Sequence, residues 1–200
     1  MENITNNLLT LVSLEDKNAV RPPMERSALL PLINEAVDMA SSAAQKKNIT
    51  LDISCPPDLE LPLYGSLLIQ AMLNLLDNGI KYSGPGSVIN ISAFKINDGD
   101  INIGDINIGA ENDTAFKGTV IEVRDRGEGI PGIHLDRIFE RFYRVDPSRQ
   151  RSSSRGSDGR ETSTGLGLSI VRHIALLHGG SVEVESHAGE GSVFRLKIPG

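Results

Sequence analysis

The sequence predicts an α+β domain, one mixed sheet with helices packed on a single face. Three observations predict it. Strand-like and helix-like runs alternate without the strict regularity of a doubly wound parallel sheet. One run, Gln70 to Ser83, is apolar around most of a helical circumference, so that helix must be buried. The composition, 39% hydrophobic and 23% charged over 200 residues, suits one globular domain with room for a short appendage. Tryptophan is absent and aromatics make up 4%, which leaves the core to aliphatic side chains.

Charge and cysteine usage narrow the classes further. A net charge of −6 argues against broad nucleic-acid binding, so no nucleic acid is expected as a partner. The single Cys55 cannot form an internal disulfide and fits a reducing, cytoplasmic compartment. No apolar run approaches the roughly 20 residues that span a bilayer. No signal peptide and no membrane contact are therefore expected of this chain, although a longer protein containing it could be membrane-anchored.

In chain order, Ile4, Leu8, Leu11 and Val12 have helical spacing in residues 1–20. That segment stops at Arg21-Pro22-Pro23 and reads as the tail of a longer element. Residues 30–47 form a second amphipathic helix, closed by Lys46, Lys47 and Asn48. Ile49, Leu51 and Ile53 alternate as a strand. The buried helix runs from Gly65 to Tyr82 and ends at Ser83-Gly84-Pro85-Gly86.

Val88 to Ile96 reads as a strand. A pentapeptide, Asp-Ile-Asn-Ile-Gly, is then written twice, at 100–104 and 105–109. It suggests an extended hairpin over about 97–114, and it lacks the Glu a calcium loop needs. Thr119 to Val123 is a β-branched strand. Residues 148–163 are rich in Ser, Arg and Gly and should be mobile. A helix spans Gly165 to His178, and paired strands at 181–186 and 192–198 close the chain.

Polar residues within these elements carry the chemistry. Gln70, Asn74, Asp77, Asn78 and Lys81 fall on one stripe of the buried helix. Two amide oxygens and an ammonium suit a metal–polyphosphate; a solvated polar face explains them equally. Asp125 ends a buried strand and could accept a hydrogen bond from an exocyclic amine such as adenine's. Gly127 and Gly129 would let the backbone approach a flat ring, yet the same residues also make an ordinary turn. Thr164-Gly165-Leu166-Gly167-Leu168 opens a helix whose N–H groups suit phosphate, or is simply a helix capped by Thr164. Arg141, Arg144 and Arg149 could reach phosphates from the preceding loop, or be surface charge.

Taken together and in order, four segments resemble the N, G1, F and G2 boxes of sensor histidine kinases. They are Asn74-Leu-Leu-Asp-Asn78-Gly-Ile-Lys81-Tyr82-Ser83, Asp125-Arg-Gly-Glu-Gly129-Ile-Pro131, Phe139-Glu-Arg-Phe142-Tyr-Arg144 and Gly165-Leu-Gly-Leu168. The resemblance covers roughly residues 30–198 and is to that family's catalytic ATP-binding domain, of the Bergerat type. It implies a two-layer α/β sandwich, a mixed five-stranded sheet under about three helices, with a flexible lid at about 132–164. The catalytic domain would occupy 25–200, and residues 1–20 would be the tail of the dimerisation helix.

The resemblance also implies roles. ATP and Mg²⁺ would be bound, with Asn78 as metal ligand and Asn74 beside metal and phosphates. Lys81 and Tyr82 would flank the nucleotide, and Asp125 would recognise adenine. Gly127, Gly129, Ile130, Thr164, Gly165, Leu166, Gly167 and Leu168 would cradle it. Arg144 and Arg149 would lie over the phosphates. Expected partners are the chain's own dimerisation and histidine-phosphotransfer domain and a response-regulator receiver domain.

Four departures from the family pattern stand out. Gly79 replaces the usual Ala. Ser163 replaces a common glycine. The 98–113 stretch is an insertion. The phosphoacceptor box is missing, since His134, His173, His178 and His187 all lack its context, and the last two should be structural or surface residues. Pro62-Leu-Tyr-Gly65 is faintly similar to the potassium-sensing subgroup. ATP-hydrolysing relatives carry a Glu in place of Asn74 as general base, and an amide cannot take that proton. Phosphoryl transfer to histidine is therefore expected over hydrolysis. A nucleotide-binding docking module and a serine kinase of the anti-sigma type are the alternatives; the Phe139–Phe142 pair favours the histidine-kinase branch.

Overall fold

The computed structural model describes residues 8–9, 11–14, 23–96, 116–145 and 164–200. The duplicated pentapeptide, Arg149, Ser163 and most of the expected lid lie outside the described residues. Among the described residues from 23 onward, seven strands and three α-helices follow one another as β1 (Glu25–Ala28), α1 (Leu29–Lys46), β2 (Thr50–Ser54), β3 (Glu60–Leu63), α2 (Gly65–Tyr82), β4 (Val88–Ile96), β5 (Gly118–Asp125), α3 (Gly167–Leu177), β6 (Ser181–His187) and β7 (Gly191–Pro199). A 3-10 turn, Gly132–His134, lies between β5 and α3.

The main sheet has five strands in the order β2-β4-β5-β7-β6. Only the β2–β4 pair is parallel; β4–β5, β5–β7 and β6–β7 are antiparallel. The expected mixed sheet is thus present, with the strand count that the family resemblance implies. Its inner face presents Ile89, Ile91, Ile121, Val123, Phe194, Leu196 and Ile198, all buried. Against it pack Ile33, Ala36 and Ala40 of α1, Leu68, Met72, Leu75 and Leu76 of α2, and Ile170 and Ile174 of α3. Alternation along each strand sends every second residue to that core. Helical spacing gives each helix one apolar stripe to meet it.

A second sheet escapes the sequence reading. β1 and β3 pair antiparallel, Glu25 opposite Leu63 and Ala28 opposite Glu60. Each has four residues, and β3 contains Pro62, which is tolerated where a strand edge needs no N–H. Leu61 and Leu63 point inward and are buried. Pro31, in the first turn of α1, occupies a position whose N–H has no helical partner, so the helix starts without a break.

The opposite face of the sheet is polar and still buried in its centre. Arg195 donates to Glu122 at 2.9 Å and to Glu185 at 3.0 Å, and Lys197 pairs with Glu183 at 2.8 Å. Arg195 and Glu122 are both 5% exposed, and each has a second partner at the rim, Glu185 for Arg195 and Arg124 for Glu122.

Near the N-terminus, residues 8–9 and 11–14 are helical. Leu11 and Leu14 join the core, and the Leu14 carbonyl lies 2.9 Å from His173 Nε2 on α3.

Candidate functional site

α2 organises the site. Its C-terminal half lies against the end of β5, where Gly79 is buried beside Asp125. A Cβ at Gly79 would come 3.0 Å from Ile89 Cδ1 and 3.7 Å from Asp125 Cβ. A methyl there would press on the end of the Ile89 side chain, which would have to give by a few tenths of an ångström.

Beyond β5 the chain turns sharply. Asp125 Oδ1 accepts the Gly127 N–H at 2.7 Å. The Glu128 N–H donates to the Tyr82 carbonyl at 3.3 Å, tying this turn to the last residue of α2. Asp125 is 8% exposed. Burial raises its pKa above the ordinary carboxylate value, and hydrogen bonds from the Gly127 and Ser192 backbones pull it partly back. The carboxylate is therefore held by two main-chain donors and keeps acceptor capacity for a third.

At its N-terminal half α2 meets α3. A Cβ on Gly167 would stand 3.0 Å from Asn74 Oδ1. The Asn74 amide donates to the Gln70 carbonyl at 3.0 Å, so its oxygen is the atom turned toward α3. α3 begins at Gly167, and its N-cap is Leu166, without a side-chain cap. Thr164 is thus not the N-cap that the sequence left open as the alternative to a phosphate-binding helix start. Its Oγ1 accepts the Leu166 N–H at 3.2 Å in the loop before the helix. Leu166 is fully buried, so only its main chain faces the loop.

The segment that ends at Val145 is anchored to this turn. The Phe142 N–H donates to the Gly165 carbonyl at 2.8 Å. Phe142 has φ +62° and is 61% exposed, a strained position for an aromatic side chain in water. Tyr143 accepts the Arg137 guanidinium over its ring at 4.3 Å, and its hydroxyl lies 2.7 Å from His134 Nδ1.

α2 therefore meets two segments separated widely in sequence, the Asp125 turn and the start of α3. Asn74 faces the start of α3, Gly79 faces Asp125, and Tyr82 faces the Gly127–Glu128 turn. Asn78 and Lys81 are half-buried on the helix between these contacts, and Tyr82 is 48% exposed. Lys81, Tyr82, Gly127 and Glu128 line a cleft of about 440 Å³ with Lys47, Ser83 and Arg126. Asn74, Asn78 and Asp125 are not among its lining residues. Ile130, Arg144, Thr164 and Leu168 are half-buried, and Arg149 lies outside the described residues.

Two features were not legible in the sequence. Lys47 is the C-cap of α1, as expected, but its side chain leaves that helix. Its Nζ donates to the carbonyls of Ile80 and Lys81, at 2.7 and 2.8 Å, and so caps α2. The glycines serve the protein as much as any ligand. A Cβ at Gly129, where φ is +65°, would collide with the His187 carbonyl, and one at Gly127 would lie 2.6 Å from the Tyr82 carbonyl.

A Mg²⁺ ion fits this setting only in one way. Among the described residues no group of three His, Cys, Asp or Glu side chains could cage a metal. Mg²⁺ commonly uses one or two protein oxygens and completes its shell with phosphate and water. Asn78, half-buried one turn from Asn74 on α2, carries an amide oxygen of the kind such a shell could use.

Comparison with known proteins agrees with this architecture. The profile of the histidine kinase-, DNA gyrase B- and HSP90-like ATPase family matches residues 64–200. The sensor-like histidine kinase SenX3 of Mycolicibacterium smegmatis is 34% identical over 180 residues, covering 89% of this chain and 39% of that protein. The sensor protein KdpD of Clostridium acetobutylicum is 30% identical over 200 residues, covering 98% of this chain and 19% of that protein. The chain thus spans well under half the length of these relatives. Full-length ShkA in complex with AMPPNP shares the fold at a TM-score of 0.70, with 21% identity over 98% of this chain and 35% of that one.

Proposed function

Because the chain belongs to the histidine kinase-, DNA gyrase B- and HSP90-like ATPase family, as a catalytic ATP-binding domain of the sensor-histidine-kinase kind, we propose that it binds Mg–ATP alongside α2 and presents the γ-phosphoryl group to a histidine outside this chain. The observation that carries this reading is the meeting on one helix of two glycine-bearing segments, Asp125–Gly129 against Gly79 and Tyr82 and Gly165–Gly167 against Asn74. In this reading Asp125 accepts the exocyclic amine of adenine while Gly127 and Ser192 hold its carboxylate in place. Asn78 offers an amide oxygen to Mg²⁺, and Asn74 and Lys81 face the phosphates. The main chain at Gly165–Leu168 and the Arg144 guanidinium add donors. Gly129, Ile130 and Tyr82 frame the base. Arg149 would join the phosphate donors.

Bound Mg²⁺ would neutralise charge on the phosphate oxygens. The protein's own contribution is positioning and fixed donors. The side chain at position 74 is an amide, so no carboxylate activates water there, and the phosphoryl group is kept for a better nucleophile. Among the described histidines, His134, His173 and His178 each hold a ring nitrogen in a hydrogen bond. In this reading the acceptor histidine lies on a separate dimerisation domain, with a response-regulator receiver downstream. No described helix is long and apolar enough to cross a membrane.

Binding of a fluorescent ATP analogue with and without Mg²⁺, beside steady-state phosphate release, tests the proposal. Mg²⁺-dependent binding with negligible hydrolysis is expected. Brisk hydrolysis by the isolated chain would overturn phosphoryl transfer as the function, and absence of binding would overturn the site.

A further inference from the structure

We infer that Ser186 is a positioning residue that sets base discrimination at the Asp125 turn, without itself touching nucleotide. The inference rests on the reading of Asp125 as the adenine contact. Asp125, Ser192 and Ser186 form one row across three strands, since Asp125 pairs with Ser192 and Ser192 with Ser186. All three are under 9% exposed. A buried polar row at a sheet end must satisfy itself.

Ser186 Oγ is the hub of that row. It donates to the Gly191 carbonyl at 2.7 Å, accepts the Ile130 N–H at 2.8 Å and lies 2.9 Å from Ser192 Oγ. A hydroxyl has one proton and two lone pairs. With the proton on Gly191, Ser192 must donate to Ser186, and all three capacities are then filled. The same hydroxyl thus binds the far end of the Asp125–Ile130 turn and the hairpin that pairs with Asp125.

The other supports of this turn on the hairpin side are main-chain contacts. The Gly189 N–H donates to the Glu128 carbonyl at 2.7 Å. Gly191 packs directly on the Asp125 carbonyl, and Gly129 on that of His187. The β6–β7 turn is therefore a backing plate for the Asp125 turn. Ser186 is the side chain that fixes their separation at Ile130.

Loss of the hydroxyl should let Ile130 and Gly129 drift, and Asp125 would then be presented less sharply to the six-position of a purine. ATP carries an amine there and ITP a carbonyl. The consequence falls on the preference between them more than on stability.

The test compares wild type, Ser186→Ala and Ser186→Thr. Amide hydrogen exchange at Ile130 in the unliganded proteins is the first readout, with Ile121 as internal reference. Exchange at Ile130 should rise roughly fivefold or more in Ser186→Ala relative to Ile121, and Thr should restore it. The second readout is the ATP-to-ITP affinity ratio, expected to fall by a similar factor in Ser186→Ala and to recover in Ser186→Thr. Unchanged Ile130 exchange, or an unchanged ratio in a folded Ser186→Ala protein, would overturn the inference. Failure of wild type to bind either nucleotide would instead overturn the nucleotide reading on which it rests.

Discussion

His178 Nε2 accepts the backbone N–H of Tyr64 at 3.0 Å, so a residue at the end of α3 caps the start of α2. No side chain of α2's own neighbourhood does this. The other ring nitrogen lies 2.8 Å from the Ile174 carbonyl, which makes Nδ1 the protonated position and Nε2 the acceptor. The imidazole ring also meets Tyr64 edge-on, with centroids 5.4 Å apart.

A pH dependence follows from that cap. Burial lowers the His178 pKa below its ordinary 6.5, with the Ile174 carbonyl opposing the shift. Below pH 6.5 the unfolded chain takes up the proton more readily than the native state. Stability from this residue is present above 6.5 and declines as pH falls toward the lowered native value. Thermal melts should show that decline, and His178→Gln should flatten it. An unaltered slope in the variant would refute the assignment.

Asp125 runs the other way. Its native pKa is raised, so the ionised carboxylate costs stability at neutral pH, a cost lifted as pH falls through the native value. Asp125→Asn keeps an acceptor for the Gly127 N–H. The unliganded variant should melt no lower than wild type. Its ATP affinity should drop by about 1–3 kcal/mol, the worth of one buried charged hydrogen bond. GTP, with a carbonyl facing the carboxylate, should bind wild type poorly. Calorimetric titration beside melting separates the two effects.

Gly167→Ala tests the contact between α3 and α2. The new Cβ would stand 3.0 Å from Asn74 Oδ1, a distance that forces the amide to yield. The fold should survive, because the neighbour is a side-chain atom. Nucleotide affinity should fall by up to about tenfold as Asn74 is displaced. Equal affinity in the variant would show that Asn74 does not contribute.

Lys47→Met removes the cation that closes α2. The Ile80 and Lys81 carbonyls then lose a charged donor, which should destabilise the domain by about 1–3 kcal/mol. Urea denaturation should report this as a lower midpoint with unchanged slope.

How far a sequence carries depends on whether the cause is local. Helical spacing in Leu29–Lys46 and Gly65–Tyr82, alternation in Val88–Ile96, and glycine stops after Tyr82 and Leu177 are local, and each element was legible within a residue or two. The four motif segments were legible for the same reason, as were the mixed sheet and single helical layer they imply. The β1–β3 pairing, the His178 cap on Tyr64, the Lys47 cap on α2 and the Ser186 bond to Ile130 join residues 32 to 114 positions apart. Nothing in the flanking residues announces such partners. A buried donor takes whichever acceptor the packed core brings within 3 Å, and only the tertiary structure decides which one that is.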